Sequence, residues 1–185
     1  MKRTPAQIAE EILVLDAQTG NRQALGELLL LCQPVILRHI VRLTGASSSA
    51  QDIWQESAIA AMKGLRTLQD PALFRPWLYR LTTFKCRDWQ RKHFRSQAVE
   101  TTLDETTLAV PTHQDDGLPE DVRRVMESLD GEQRQILFLF YREGLSVQEI
   151  ALALALNPGT VKTRLFRTRE KFRLCWKGEN DEQDR

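Results

Sequence analysis

If the stretch from Val161 onward turns by about 100° per residue, Lys162, Thr163, Phe166 and Arg167 share one side of a helix. With Val161 at zero, Leu165, Thr168 and Phe172 fall within about 40° of it, and the other four lie between about 100° and 240°. One face is apolar and must pack inward. The opposite face carries donors suited to guanine O6/N7 and phosphate oxygens, with a ring able to meet a thymine methyl. A second cluster, Phe74 to Arg95, sets Trp77, Tyr79, Phe84 and Trp89 among Arg80, Lys85, Arg87, Arg91 and Lys92. Aromatic faces stack on unpaired bases while cations hold the strand's backbone. Third, Asp52 and Glu56 stand four apart with Gln55 beside them, an acidic, hydrogen-bonding edge for a partner.

Other chemistries lack their residues. His39, His93 and His113 sit in unrelated contexts, and no catalytic triad, paired carboxylates, metal-ligand spacing or glycine-rich phosphate loop accompanies them. An enzyme is not expected, nor any catalytic residue, metal or cofactor. Cys32, Cys86 and Cys175 are odd in number and far apart, against a disulfide framework. No run approaches the length of a membrane span and the first residues lack a secretory apolar region, so a cytoplasmic protein with no membrane insertion is expected.

The 185 residues hold 26 Lys and Arg against 25 Asp and Glu, a net charge of +1 that speaks against a nucleic-acid partner until it is resolved locally. Phe74 to Arg95 carries seven bases and one acid, as does Thr160 to Lys177, so each is +6. Between them Glu100 to Asp121 has seven acids and no Lys or Arg, and the tail from Gly178 adds four acids and one base. Two basic patches are separated by an acidic connector.

The periodicity that must position these residues is helical throughout, and no segment alternates as a strand does. Thr4-Pro5 opens a first helix. A second runs from about Arg22 to Leu43, where Pro34 should kink or break it. Ser49-x-x-Asp52 reads as the cap of a third helix reaching about Leu68, and Pro76 as the first position of a fourth, to about Arg95. Ile53, Trp54, Met62, Leu65, Trp77, Leu78 and Leu81 read as core. Residues 96–119, with threonines, prolines and acids, read as a flexible linker. Ser146 then caps a helix to about Leu154, and Asn157-Pro158 starts the last, forming a helix-turn-helix. The expected fold is all-α, with two small helical domains at 1–95 and 120–177, the linker at 96–119 and an acidic tail at 178–185.

The stretch GLSVQEIALALALNPGTVKTRLFRTREKFRL, Gly144 to Leu174, resembles region 4 of group IV, or extracytoplasmic-function (ECF), sigma factors. Asp52-Ile-Trp-Gln-Glu56, Phe74-Arg-Pro-Trp-Leu-Tyr-Arg80 and Asp88-Trp-Gln-Arg-Lys92 resemble region 2 of the same family. The resemblance implies an RNA polymerase sigma factor, with core RNA polymerase (beta-prime clamp helices and beta flap) and promoter DNA as partners and an anti-sigma factor as regulator, while the serines at 47–49 add an activating kinase as the alternative regulator. By position it implies Thr160, Lys162, Thr163, Arg164, Phe166, Arg167 and Lys171 at the minus-35 element, with Arg164 and Lys171 toward phosphates. Trp77, Arg80, Phe84, Lys85, Arg87, Arg91 and Lys92 fall to the minus-10 element, and Asp52, Gln55 and Glu56 to polymerase.

Two departures stand out. Ser49-Ala50-Gln51-Asp52 lacks two of the family's acids, a charge that phosphorylation of Ser47, Ser48 or Ser49 would restore at a helix N-terminus. Phe84 stands where the family often has asparagine. The alternative the residues leave open is a stand-alone helix-turn-helix regulator that dimerises on a palindrome and binds duplex DNA without polymerase.

Overall fold

A computed structural model describes the backbone of residues 4–100 and 119–183 and the side chains of 4–93 and 119–176. The acids of the connector and tail therefore lie almost wholly outside the described side chains. Eight α-helices make up the described chain: α1 (Pro5–Gln18), α2 (Arg22–Thr44), α3 (Ala50–Gly64), α4 (Phe74–Glu100), α5 (Glu120–Glu127), α6 (Gly131–Leu137), α7 (Val147–Leu154) and α8 (Pro158–Gln183). There is no strand among the described residues.

Local chemistry sets most boundaries. Thr4 and Gln7 form a reciprocal capping box at α1, Asp130 and Gln133 one at α6, and Ser146 and Glu149 one at α7. Gly45 ends α2 in the left-handed region at φ 68°. Of the kink or break expected at Pro34, the break does not occur, and α2 runs on through this residue. Its missing N–H would have bonded the carbonyl of Leu30, and both residues lie on the exposed side of α2, so the loss falls toward solvent. Ser49 precedes α3 in helical geometry and makes no side-chain cap, and the helix gives way at Leu65–Thr67 to a tighter turn. α4 begins at Phe74, two residues before Pro76, which fits because the first turn needs no internal N–H bonds. The apolar run at 136–141 is interrupted: Phe138–Arg142 widens into a π turn before Gly144 (φ 67°).

α1 to α4 bury Val14, Leu28, Ile36, Ile40, Ile53, Trp54, Phe74 and Leu78 in one core. Over an 18-residue window α2 reaches a mean hydropathy of 1.5, enough for a membrane span by length and composition. It nevertheless packs on α1, α3, α4 and α6 and carries Arg38, His39 and Arg42 in its second half. Met62, expected in the core, is 54% exposed. Cys32 and Cys86 are buried, and burial pushes both thiols up to about 12, so neither supplies a thiolate near neutral pH.

The second bundle, α5 to α8, buries Val125, Leu129, Ile136, Leu139, Ile150, Ala153, Val161 and Leu165. A bundle of this size is marginal alone, and here it rests on the first, α7 against α4 and α6 against α2. At that seam Arg42 lies 3.5 Å over the Phe138 ring, and Arg87 donates to the Leu154 carbonyl at 2.9 Å. Arg75 holds Glu10 bidentately and reaches Glu143 of the second bundle at 3.5 Å.

The centre of the seam is His39, fully buried, edge-on to Tyr79. Thr83 spends its hydroxyl proton on the Tyr79 carbonyl at 2.8 Å, so at 3.0 Å it accepts from His39 Nε2–H. Nδ1 then carries the lone pair and accepts from the Gln135 amide at 2.5 Å. The network thus assigns a neutral imidazole satisfied on both nitrogens. Desolvation, reinforced by the positive charge of Arg42, pushes the His39 pKa down to about 3 from 6.5. Because the unfolded chain takes up this proton first, the stabilisation is complete above pH 6.5 and is lost as pH falls from there toward 3, at about 1.4 kcal/mol per unit. Denaturant melts between pH 7.5 and 5 should show a loss below 6.5 that is smaller in His39→Gln, which keeps hydrogen-bonding capacity without this titration; equal slopes in both proteins would refute it.

Candidate nucleic-acid and polymerase interfaces

The three clusters read from the sequence form three surfaces. On α8, Val161 (0%), Leu165 (4%) and Thr168 (1%) are buried with Phe172 half-buried, and Lys162, Thr163, Phe166 and Arg167 project outward. The 66% exposure of the Phe166 ring is a cost that a merely solvated helix has no reason to carry. The Thr163 hydroxyl donates back to the Gly159 carbonyl at 3.0 Å, and Thr160 is half-buried. Arg164 pairs with Glu132 on α6, and Lys171 donates to Gln133 Oε1 at 3.3 Å, so both stand at the flank.

The turn between α7 and α8 is made by Ala155 at φ 53°, the one non-glycine residue with positive φ among those described. Its amide reaches Leu152 at 3.3 Å and that of Leu156 reaches Ala151 at 2.9 Å, closing α7 so that Asn157 can start α8. Asn157 accepts from the Gly159 N–H at 2.8 Å. An L-residue in this region costs roughly 1–2 kcal/mol.

α4 divides similarly. Phe74, Leu78, Tyr79, Thr82, Thr83 and Cys86 are buried, while Arg80, Phe84, Arg87 and Arg91 line up on the exposed side with Lys92 next to them. Arg80 lies 5.6 Å over the Phe84 ring, itself 44% exposed, and Arg91 pairs with Asp88. Tyr79 is thus core, and Trp89 is half-buried and stacked on His93 at 4.9 Å. Trp77 is half-buried over Gly64, where an added Cβ would come within 3.1 Å of its ring, so a larger residue there would have to shift the indole by a few tenths of an ångström.

On α3, Asp52, Gln55 and Glu56 are all exposed. Ile59 and Met62, 52% and 54% exposed, continue the same strip one and two turns on. Sequence reading missed Ile59 and placed Met62 inside, although the spacing 52, 55/56, 59, 62 was available. Lys85 bonds Glu56 at 3.2 Å, linking the α4 and α3 surfaces. A fourth feature was not anticipated. An apolar groove of about 420 Å³ opens on the second bundle between Val122, Met126, Phe138, Tyr141 and Phe172, with Arg142 and Arg169 among its walls.

The described residues form a helical chain with a helix-turn-helix in its C-terminal half, a cationic aromatic helix in its N-terminal half and an acidic strip beside it, the build of a helical transcription factor. The sigma-70 region 2 family matches residues 28–96 and the sigma-70 region 4 family residues 119–172. The RNA polymerase sigma factor NccH of Alcaligenes xylosoxydans xylosoxydans is 30% identical over 88% of this chain and 92% of that protein. The ECF RNA polymerase sigma factor SigE of Mycolicibacterium smegmatis is 31% identical over 75% of this chain. The chain spans 56% of that relative and 41% of another curated match. Among solved structures, CnrH in complex with the cytosolic domain of CnrY has a TM-score of 0.60 at 29% identity, covering 92% of this chain and 98% of that one. The sigma factor RpoE in complex with the anti-sigma factor NepR from Bartonella quintana has 0.63 at 22%, covering 82% and 96%, a likeness of fold. The chain belongs to the sigma-70 family of RNA polymerase sigma factors, among its ECF members.

Ala155→Gly removes the left-handed strain at the helix-turn-helix and should raise the stability of the second bundle by up to about 1 kcal/mol, net of the glycine's entropy. A thermal melt reads this; destabilisation by a similar amount would mean the turn is not strained.

Proposed function

We propose that this chain is a non-catalytic specificity factor that brings core RNA polymerase to promoters and opens them, acting in the cytoplasm. The observation that carries the reading is the α8 face, where Lys162, Thr163, Phe166 and Arg167 stand outward over a buried seam in a helix-turn-helix. In this reading residues 120–177 dock α8 in the major groove at minus-35, with Thr160, Arg164 and Lys171 supporting from the flank. Residues 1–95 hold the minus-10 strand through Arg80, Phe84, Lys85, Arg87, Arg91 and Lys92, with Trp77 bracing the helix from inside. Phe84 and Arg80 supply stacking and cation–π contact, and the other bases supply phosphate contacts whose strength falls with salt. Residues 96–119 join the two, and 178–185 form an acidic tail.

Asp52, Gln55, Glu56, Ile59 and Met62 form a strip suited to the beta-prime clamp helices of polymerase, whose arginines would meet the carboxylates while Ile59 and Met62 add apolar contact. The groove beside Phe138 and Phe172 suits the beta flap. An anti-sigma partner is consistent with the fold that this chain shares with RpoE. Phosphorylation of Ser47, Ser48 or Ser49 by a kinase would strengthen the clamp contact: Ser49 makes no cap bond, and Ser47 and Ser48 are exposed.

In-vitro transcription with purified core enzyme on a promoter pool tests the function, and no specific transcripts, with or without phosphorylation, would refute it. Among the selected promoters, Arg167→Ala should reduce output about tenfold or more where minus-35 is present, the cost of one good base contact. Equal output from mutant and wild type would remove Arg167 from the reading set. Ile59→Ser with Met62→Ser should weaken core binding severalfold while shifting unfolding stability by no more than about 0.5 kcal/mol, since both are exposed; unchanged core affinity would remove the apolar half of the strip.

A further inference from the structure

The cations that α8 turns outward or toward its flank differ in how they are compensated. Lys162 and Arg167, on the outward face, have no acidic partner among the described residues. Lys171 donates to Gln133 Oε1 at 3.3 Å, a neutral acceptor that also takes the Asp130 N–H at 3.2 Å, so its charge is undiminished. Arg164 instead meets a full negative charge, the carboxylate of Glu132 in the first turn of α6. The two side chains are 38% and 73% exposed, and a pair as open as this adds little to stability.

Glu132 also stands close to the reading face. It lines a notch of about 220 Å³ between α6 and α8 together with Gln133, Arg164, Arg167 and Thr168. Asp130, the other acid of the notch, is committed to the α6 cap, where it accepts the Gln133 N–H at 2.8 Å. A carboxylate in this place repels phosphate and offsets the Arg164 guanidinium. Whether Arg164 stays on Glu132 or turns to a phosphate, the two side chains as a unit bring no net positive charge to a DNA backbone. Sequence-independent affinity follows the number of phosphates neutralised, log K changing against log salt by about 0.9 for each. Phosphate contacts add to every sequence alike, and base contacts discriminate.

We propose that Glu132 tunes duplex binding: by neutralising Arg164 it withholds one phosphate contact from α8 and lowers the sequence-independent background against which Lys162, Thr163, Phe166 and Arg167 hold DNA. The inference rests on the minus-35 reading of α8 and refines it, because Arg164 then positions the flank of the helix without adding charge to it. A role for Glu132 in the fold alone, as an acid favourable to the start of α6, would not touch the salt dependence of DNA binding.

The test uses the full chain without polymerase, titrated into fluorescein-labelled duplexes of about 20 base pairs and two unrelated sequences, from about 50 to 200 mM salt. Glu132→Gln should steepen the salt slope by about 0.9 and tighten binding to both duplexes alike, about tenfold at the low end of the range and about threefold at the high end, with circular dichroism unchanged. Adding Arg164→Ala to Glu132→Gln should return slope and affinity to those of the wild type, since both proteins then carry no net charge at the pair. Glu132→Asp, which keeps the carboxylate, should retain the wild-type slope. An unchanged slope in Glu132→Gln, or no binding by either protein at the low end, would overturn the proposal. So would a gain that survives Arg164→Ala, which would place the effect on another cation, or a gain confined to one sequence, which would make Glu132 a reader of bases. None of these results depends on transcription, so a failure of the sigma reading, seen as absent transcripts with core enzyme, is separately visible.

Discussion

Everything else in this molecule depends on the burial of one side of α4. Phe74, Leu78, Tyr79, Thr82, Thr83 and Cys86 tie that helix to α2 and α3 and give the second bundle its seat. The apolar and hydroxyl groups are used up on this side, so Arg80, Phe84, Arg87 and Arg91 are left on the other. Thr82 and Thr83 return their hydroxyl protons to the helix's own carbonyls, which lets a polar pair sit in the core without unsatisfied donors. α8 solves the same problem with Val161, Leu165 and Thr168, the last again bonding back to Arg164.

Much of this was legible from the residues because it is local. Helix caps need only three or four neighbouring positions, and those read at Thr4 and Ser146 are present, each as one half of a reciprocal box. The outward set on α8 followed from a single angular period, and the exposed acids of α3 from a four-residue spacing. What was not legible is what tertiary partners decide. Pro34 was expected to kink or break α2, yet the helix runs through it, with the unbonded turn on the solvent side, a fact set by which face packs. Ser49 was expected to cap α3 and does not. Met62 carries an apolar side chain at a register that leaves it 54% exposed. Nothing in the sequence around His39 and Gln135, 96 positions apart, signals that they meet.

The near-zero charge of the whole chain gains a physical reading from the fold. Several cations of the two basic faces are already engaged within the chain: Arg164 with Glu132, Lys85 with Glu56, Arg87 with a backbone carbonyl. Each exposed pair is worth little, about 0–1 kcal/mol, and is readily exchanged for a phosphate or a polymerase arginine.

The central claim is that this chain confers promoter opening on core polymerase through two surfaces acting at once. Permanganate reactivity of thymines on a linear promoter, with core enzyme, with the chain, and with both, tests it most directly. Reactive thymines are expected at minus-10 only when both are present, and are expected to be lost when the minus-35 element is scrambled. Reactivity with core alone, or a duplex footprint by the chain alone with no opening when core is added, would contradict it.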